Sequence, residues 1–210
     1  MPTFVIIPAS FTNGTIEVDI LSRLNGKGPA DARAFAGVAY RITADGDRLE
    51  AVYLRPLNGQ KTNPPSPPDQ RAIQYFAYPD WKFDRLRELY PDGDFEAGAD
   101  IGPDEWITLK LDIDGTRLTA TVNGTKTLAL SETKAAPAAG AVGLFVDIGS
   151  ESLFSNLKIT PRRATCRTIR RQERRRLRTR VHDHLTSGDP RGWPAELTIQ
   201  VLDRAHLIRE

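Results

Sequence analysis

This chain lacks the residues for a disulfide framework, for a histidine-built metal centre and for a helical membrane span near its start. Cys166 is the only cysteine, so no intrachain disulfide can form, and a zinc site would need that thiol, three histidines and carboxylates. His182 and His184 lie two apart and His206 is distant, a spacing that matches no standard zinc motif, and no metal or cofactor is expected. The apolar run at residues 4–7 is closed by Pro8 and preceded by no basic residue. It is too short for a signal core or a membrane span. The chain is therefore expected to act in the cytoplasm, or to have lost an export signal. Lysine is absent from residues 161–210, which hold thirteen of the 29 basic and six of the 27 acidic residues, net +7. The preceding 160 residues are net −5, so the chain has two electrostatic parts with a boundary near Pro161.

Strand signals dominate the first 160 residues. Ile16, Val18 and Ile20 alternate with Glu17, Asp19 and Leu21 after an Asn13-Gly14 turn. Residues 4–7 read as a brief buried strand, and residues 35–42 as a strand in which Gly37 permits close packing. Asp45-Gly46 turns the chain into a partner strand at residues 49–55. Residues 106–113, 118–122 and 127–130 form a meander joined at Asp114-Gly115 and Asn123-Gly124. Residues 141–148 and 153–159 add two further strands. About ten short strands with almost no helix predict an all-β antiparallel sandwich over residues 1–160. In the Arg-rich tail, 161–210, Ile169, Leu177, Val181 and Leu185 suggest a helix and residues 197–202 a short strand. The tail has too little apolar surface to fold alone, so it docks on the sandwich or stays loose.

Five prolines in residues 56–70 exclude a helix or a central strand and predict a long loop. That loop delivers the chain to residues 71–90, RAIQYFAYPDWKFDRLRELY, where Tyr75, Phe76, Tyr78, Trp81, Phe83 and Tyr90 make up six of the sixteen aromatic residues. Gln74, Asp80, Asp84, Arg85 and Arg87 are interleaved with them. Flat rings mixed with amide, carboxylate and guanidinium groups suit a surface that stacks on a sugar and hydrogen-bonds its edges. The alternative is a strand ending at Tyr78 and a loop whose rings cap the core. Beyond Asp80, the spacing of Phe83, Leu86 and Leu89 allows one or two helical turns before Pro91.

The segments FTNGTIEVDI, FAGVAYRI, DRLEAVYLRPLN, AIQYFAYPDWKFDRLRE, WITLKLDIDGTRLTATVNG and GAVGLFVDIGSESLFSNLKI occur in an order that resembles the concanavalin A-like lectin/glucanase superfamily. Within it, the chain is similar to laminin G-like bacterial domains related to the 3-keto-disaccharide hydrolase family. The resemblance covers about residues 4–160. It implies a jelly-roll sandwich of two curved antiparallel sheets that binds carbohydrate on or beside its concave sheet. The Arg-rich tail departs from that pattern, and so does the start, where the family carries earlier strand sequence.

The resemblance also bears on candidate chemistry. Laminarinase-like hydrolases of this superfamily use the pattern Glu-x-Asp-x-x-Glu; here Glu17 and Asp19 are followed by Ser22 at the third position, which leaves no acid to protonate a leaving sugar oxygen. Glu50 corresponds to an acidic position in the family's hairpin and is a conditional acid or base. Arg41, Tyr53, Arg55 and Gln74 form the primary polar set, since an Arg fork matches vicinal hydroxyls or a carboxylate. Asn58, Tyr78, Trp81 and Arg85 complete the candidate substrate-binding residues. Strand alternation sets Glu50 on the face opposite Tyr53 and Arg55 unless a bulge intervenes. The alternative for Arg55, Asp84, Arg85 and Arg87 is an ion-pair network that pins the loop. Three functions follow as expectations: a carbohydrate-binding domain, a glycoside hydrolase acting on glucosides or 3-keto-glucosides, or an interaction module whose tail contacts nucleic acid or another polyanion. The tail has one aromatic residue, Trp193, and no recognised nucleic-acid motif, so carbohydrate is the expected partner.

Overall fold

The computed structural model describes residues 3–162 and 199–202. In chain order the strands are β1 (Thr3–Phe11), β2 (Gly14–Leu24), β3 (Ala36–Ile42), β4 (Leu49–Leu54), β5 (Ile73–Tyr78) and, after helix α1 (Phe83–Leu89), β6 (Glu96–Ala97). They continue with β7 (Trp106–Asp114), β8 (Arg117–Val122), β9 (Thr125–Leu130), β10 (Gly140–Val146), β11 (Ser150–Pro161) and β12 (Ile199–Leu202). Sheet A has the order β1-β10-β3-β4-β5-β6 and sheet B the order β12-β11-β2-β7-β8-β9, and all neighbours are antiparallel. The described residues form the expected all-β jelly-roll sandwich. No helix among the described residues is long and apolar enough to cross a membrane.

The core lies between the sheets and is built by period-two alternation. On β7, Ile107, Leu109, Leu111 and Ile113 are fully buried while the residues between them face solvent. Ile16, Val18 and Ile20 of β2 pack into the same core, and their neighbours Glu17 and Asp19 lie on the outer face of sheet B. There Glu17 pairs with Lys110 at 3.4 Å, and Asp19 accepts hydrogen bonds from Thr108 and Asn156. The Asn123-Gly124 turn has positive φ at both residues, as a two-residue hairpin of this hand requires.

Sheet A departs from this pattern at its centre. Every residue of β3 and β4 is buried, on both faces. An antiparallel sheet with a solvated outer face would alternate, so side chains cover the outside of sheet A as well.

Two local expectations change, and one strand was not expected. The N-terminal strand is not a brief buried segment: β1 is an edge strand that runs through Pro8, with half-exposed Ile6 and an irregular register between Ile7 and Phe11. An edge tolerates proline because one side of the strand needs no donor. The proline-rich connection contains three single 3-10 turns at Pro56–Asn58, Gln60–Thr62 and Pro68–Gln70. The two-residue β6 had no recognisable signal, being too short to show alternation. At the other end of the chain, β12 adds to the free edge of β11, with Phe154 opposite Ile199 and Glu151 opposite Leu202. The helix expected in the tail, together with Cys166, His182, His184, Trp193 and His206, lies outside the described residues.

Candidate functional site

Two groups of polar residues are withdrawn from water in sheet A, one on each face. On the inner face, Glu50 is fully buried. Its Oε1 accepts a 2.6 Å hydrogen bond from Arg41 Nη1, and its Oε2 accepts from the Tyr75 hydroxyl at 2.6 Å and the Tyr40 hydroxyl at 3.5 Å. The other donors of Arg41 reach the Thr12 carbonyl at 2.9 Å, Asn13 Oδ1 at 3.2 Å and the Gly115 carbonyl at 2.7 Å. The Tyr75 hydroxyl accepts from the Lys134 amide. Burial, reinforced by the charge on Glu50, raises the Tyr40 and Tyr75 phenols well above their ordinary range, so both stay protonated as donors. This group ties the β1–β2 and β7–β8 turns to the end of sheet A.

Arg41 and Tyr53 were expected together, and the structure separates them. Simple alternation would send Arg41 outward. However, the register between β10 and β3 shifts at this point and Arg41 adopts φ 53°, which swings its side chain around the sandwich end to Glu50. Glu50 itself obeys alternation, one step from Ala51 and inward like Val52 and Leu54. Arg41 therefore does not join Tyr53, Arg55 and Gln74 on the outer face: it is buried with Glu50, which lies opposite them as alternation predicts.

The second group lies on the outer face. Paired residues across the sheet place Phe4, Phe145, Gly37, Tyr53, Gln74 and Glu96 in one transverse row. At Gly37 a Cβ would collide with the Val52 carbonyl and with Tyr53, so glycine lets Tyr53 lean across β3 and meet Phe145, with ring centroids 5.4 Å apart. Phe76 packs on both, at 5.7 Å from Tyr53 and 5.9 Å from Phe145, and Phe4 extends the layer at 5.5 Å from Phe145. Beneath them Ala39, Ala51 and Gly143 supply a floor of small residues. The result is an aromatic layer on the outside of the sheet, with Phe76 and Phe4 partly exposed.

A polar cluster bounds this layer at the β4–β6 end. Arg55 Nη2 donates to the Tyr53 hydroxyl and to Gln74 Oε1, and Arg55 Nη1 donates to Glu96 Oε1 at 2.8 Å. The Arg55 guanidinium also lies 4.9 Å from the Tyr53 ring centroid. Glu96 accepts further from Arg87 Nη2 at 2.5 Å and Nε at 3.0 Å, and Arg71 Nε is 3.2 Å from its other oxygen. Burial alone would raise the Glu96 carboxyl, but hydrogen bonds from Arg87 and Arg55 outweigh it and hold the carboxyl below the usual carboxylate range. Burial raises the Tyr53 phenol, with Arg55 opposing, so the hydroxyl stays protonated. Gln74 Oε1 accepts from Tyr53 and Arg55, and its Nε2 is buried with no acceptor among the described residues.

The other expected residues distribute around this cluster. Asn58 is buried in the first 3-10 turn and donates to the Arg71 carbonyl at 3.2 Å, an acceptor it shares with Arg55. Tyr78 is on the same outer face, opposite Leu49, with Lys82 Nζ 5.3 Å from its ring. Trp81 folds back to bridge Ala77 at the sheet edge and packs on the core, between Arg85 at 4.7 Å and Lys134 at 5.3 Å. Arg85 donates to the Asp80 carbonyl and does not reach Glu96. Phe76 is one of the rings expected to form a stacking surface, whereas Glu96 and Arg71 were not anticipated as site residues. The only sequence sign of Glu96 was a carboxylate between Phe95 and Ala97 in a glycine-flanked segment. Two open depressions elsewhere on the described surface, one over Glu17, Thr108, Lys110 and Thr121 and one beside Lys61, Asp100 and Asn123, are lined by no aromatic ring.

Comparison with known proteins gives this geometry a family. A search of curated proteins returned no match. Among solved structures, the carbohydrate-binding module CBM66 from Bacillus subtilis is 14% identical, with a TM-score of 0.52 over 74% of this chain and 80% of its own. A protein from Parabacteroides distasonis ATCC 8503 that carries a glycosyl hydrolase designation is 16% identical, with a TM-score of 0.50 over 77% of this chain and 84% of its own. At these identities the likeness is one of fold. The model of the 3-keto-alpha-glucoside-1,2-lyase-like domain matches residues 3–160, which is the whole sandwich apart from β12, and the chain belongs to that family.

Proposed function

We propose that this domain binds carbohydrate on the outer face of sheet A, with a sugar ring against Phe76 and its hydroxyls toward the arginine cluster. The observation that carries the reading is the aromatic layer on the solvent side of a sheet, bounded by guanidinium groups with free donors. Rings supply a flat apolar surface for the C–H face of a pyranose, and arginine forks supply directional hydrogen bonds at its edge. CBM66, of the same fold, is named for carbohydrate binding, which agrees with this use of a sandwich. Calorimetry against a panel of glucans and disaccharides is the test. Binding that weakens about tenfold in Phe76→Ala supports the reading. No binding to any member, or an unchanged constant in the variant, refutes it.

The family description favours a second reading, an enzyme acting on glucosides or 3-keto-glucosides. On this face the carboxylate near the rings is Glu96, which its arginines keep ionised and nearly enclosed. That environment suits a fixed acceptor better than a proton-transferring group, whose acidity should lie near the working pH. Sugar release from a 3-keto-glucoside by the wild-type chain, abolished in Glu96→Gln, would establish the enzyme in place of the binder.

A further inference from the structure

The proposed saccharide face carries more positive charge than its own carboxylate neutralises. Arg55, Arg71 and Arg87 converge on Glu96, and among the described residues none of the three pairs with a second carboxylate. Two positive charges are therefore left over. Arg55 is nearly enclosed, and its Nη donors are spent on Tyr53, Gln74, Glu96 and the Arg71 carbonyl. Arg71 and Arg87 differ from it: their side chains are 34% and 31% exposed. Among the described residues Arg71 meets Glu96 only through Nε, so both of its Nη groups are open there, and Arg87 uses Nε and Nη2, which leaves Nη1. The Arg87 guanidinium is held over the half-exposed Phe83 ring at 5.2 Å, which limits the directions its free donor can take.

Placement completes the argument. Glu96 sits opposite Gln74, two residues along β5 from Phe76, a separation of about 7 Å along a strand. A ring lying on Phe76 thus places a substituent on its near edge within reach of the guanidinium groups gathered at Glu96. A neutral sugar would leave the surplus charge facing only water. A sugar with an anionic substituent would form charge-assisted, fork-like hydrogen bonds with it.

We propose that the saccharide selected by this face is acidic: a pyranose bearing a carboxylate or sulfate, with its ring against Phe76 and its oxyanion accepting from the free donors of Arg71 and Arg87. This inference rests on the carbohydrate-binding reading above.

The test is calorimetric titration of the full chain with matched probes: neutral glucose-, galactose- and mannose-series oligosaccharides, their uronic acid and sulfated counterparts, and inorganic sulfate alone. The expected result is that acidic oligosaccharides bind about tenfold or more tighter than neutral ones. That advantage should shrink in about 0.5 M salt, where the screening length falls below 5 Å or so. It should collapse in Arg71→Gln, which loses a single ion pair, and in Arg87→Gln, while Lys110→Gln on sheet B leaves it intact. Equal affinity for neutral and acidic sugars overturns the inference and leaves the carbohydrate reading standing. Binding of no sugar overturns both. Inorganic sulfate binding as tightly as the acidic oligosaccharides overturns the inference alone, since the arginines would then recognise an anion without a sugar.

Discussion

Glu50 and Glu96 are both withdrawn from water, both held by arginine, and both on sheet A, yet they lie on opposite faces in contrasting surroundings. Glu50 is enclosed between the sheets in a closed arrangement: one guanidinium balances one carboxylate, and two tyrosine hydroxyls saturate it. Glu96 is on the outside, where three guanidinium groups share one carboxylate and two of them still reach water. A balanced, enclosed pair has no charge or donor to spare. An unbalanced, half-open one keeps donors and charge exposed to water. Residue type does not distinguish the two; stoichiometry and face do.

The comparison can be broken first at Glu50. Glu50→Ala strands Arg41 as an unpaired buried charge and should cost about 3–5 kcal/mol, read from urea denaturation. Loss of under about 1 kcal/mol would show that the inner pair is not enclosed. Removing the Glu96 charge should cost less. For Glu96→Gln we expect about 2 kcal/mol, because Arg71 and Arg87 are partly solvated and the amide keeps one acceptor.

pH separates the two groups further. The Glu96 carboxyl is held below its unfolded value, so its contribution is complete above about pH 4.3 and is lost as the pH falls through the lower folded value. Glu96→Gln should flatten the acid side of the stability profile. At the alkaline end the sign reverses. Tyr40, Tyr53 and Tyr75 hold their protons more tightly folded than unfolded, so stability should fall as the pH rises past about 10. Their phenolate absorbance should then appear together with unfolding. The smallest effect belongs to sheet B: Glu17→Gln on its solvated face should change stability by under about 0.5 kcal/mol in the same denaturation experiment. A larger loss there would mean that the polar outer face has a role of its own.

Much of the fold was legible before the structure, for reasons that are local. Sheet B alternates cleanly, as at Ile107 to Ile113, because one face meets the core and the other water, and Asn123-Gly124 encodes its turn in the φ values those residues accept. The opposition of Glu50 to Tyr53 and Arg55 was likewise readable from a period of two. What failed to show was of another kind. The Arg41 side chain crosses to the inner group through a positive φ at a register shift, which alternation does not encode. Glu96 belongs to a strand too short to carry a period, and its partners Arg55, Arg71 and Arg87 come from three separate segments.

The sequence by itself determined the sandwich and its hairpins, because burial on one face of a strand repeats every second residue and turns demand particular residues. Only the tertiary structure decided which acidic residue faces outward among the arginines. That depends on cross-strand register and on a single backbone kink, both set by pairing partners far away along the chain.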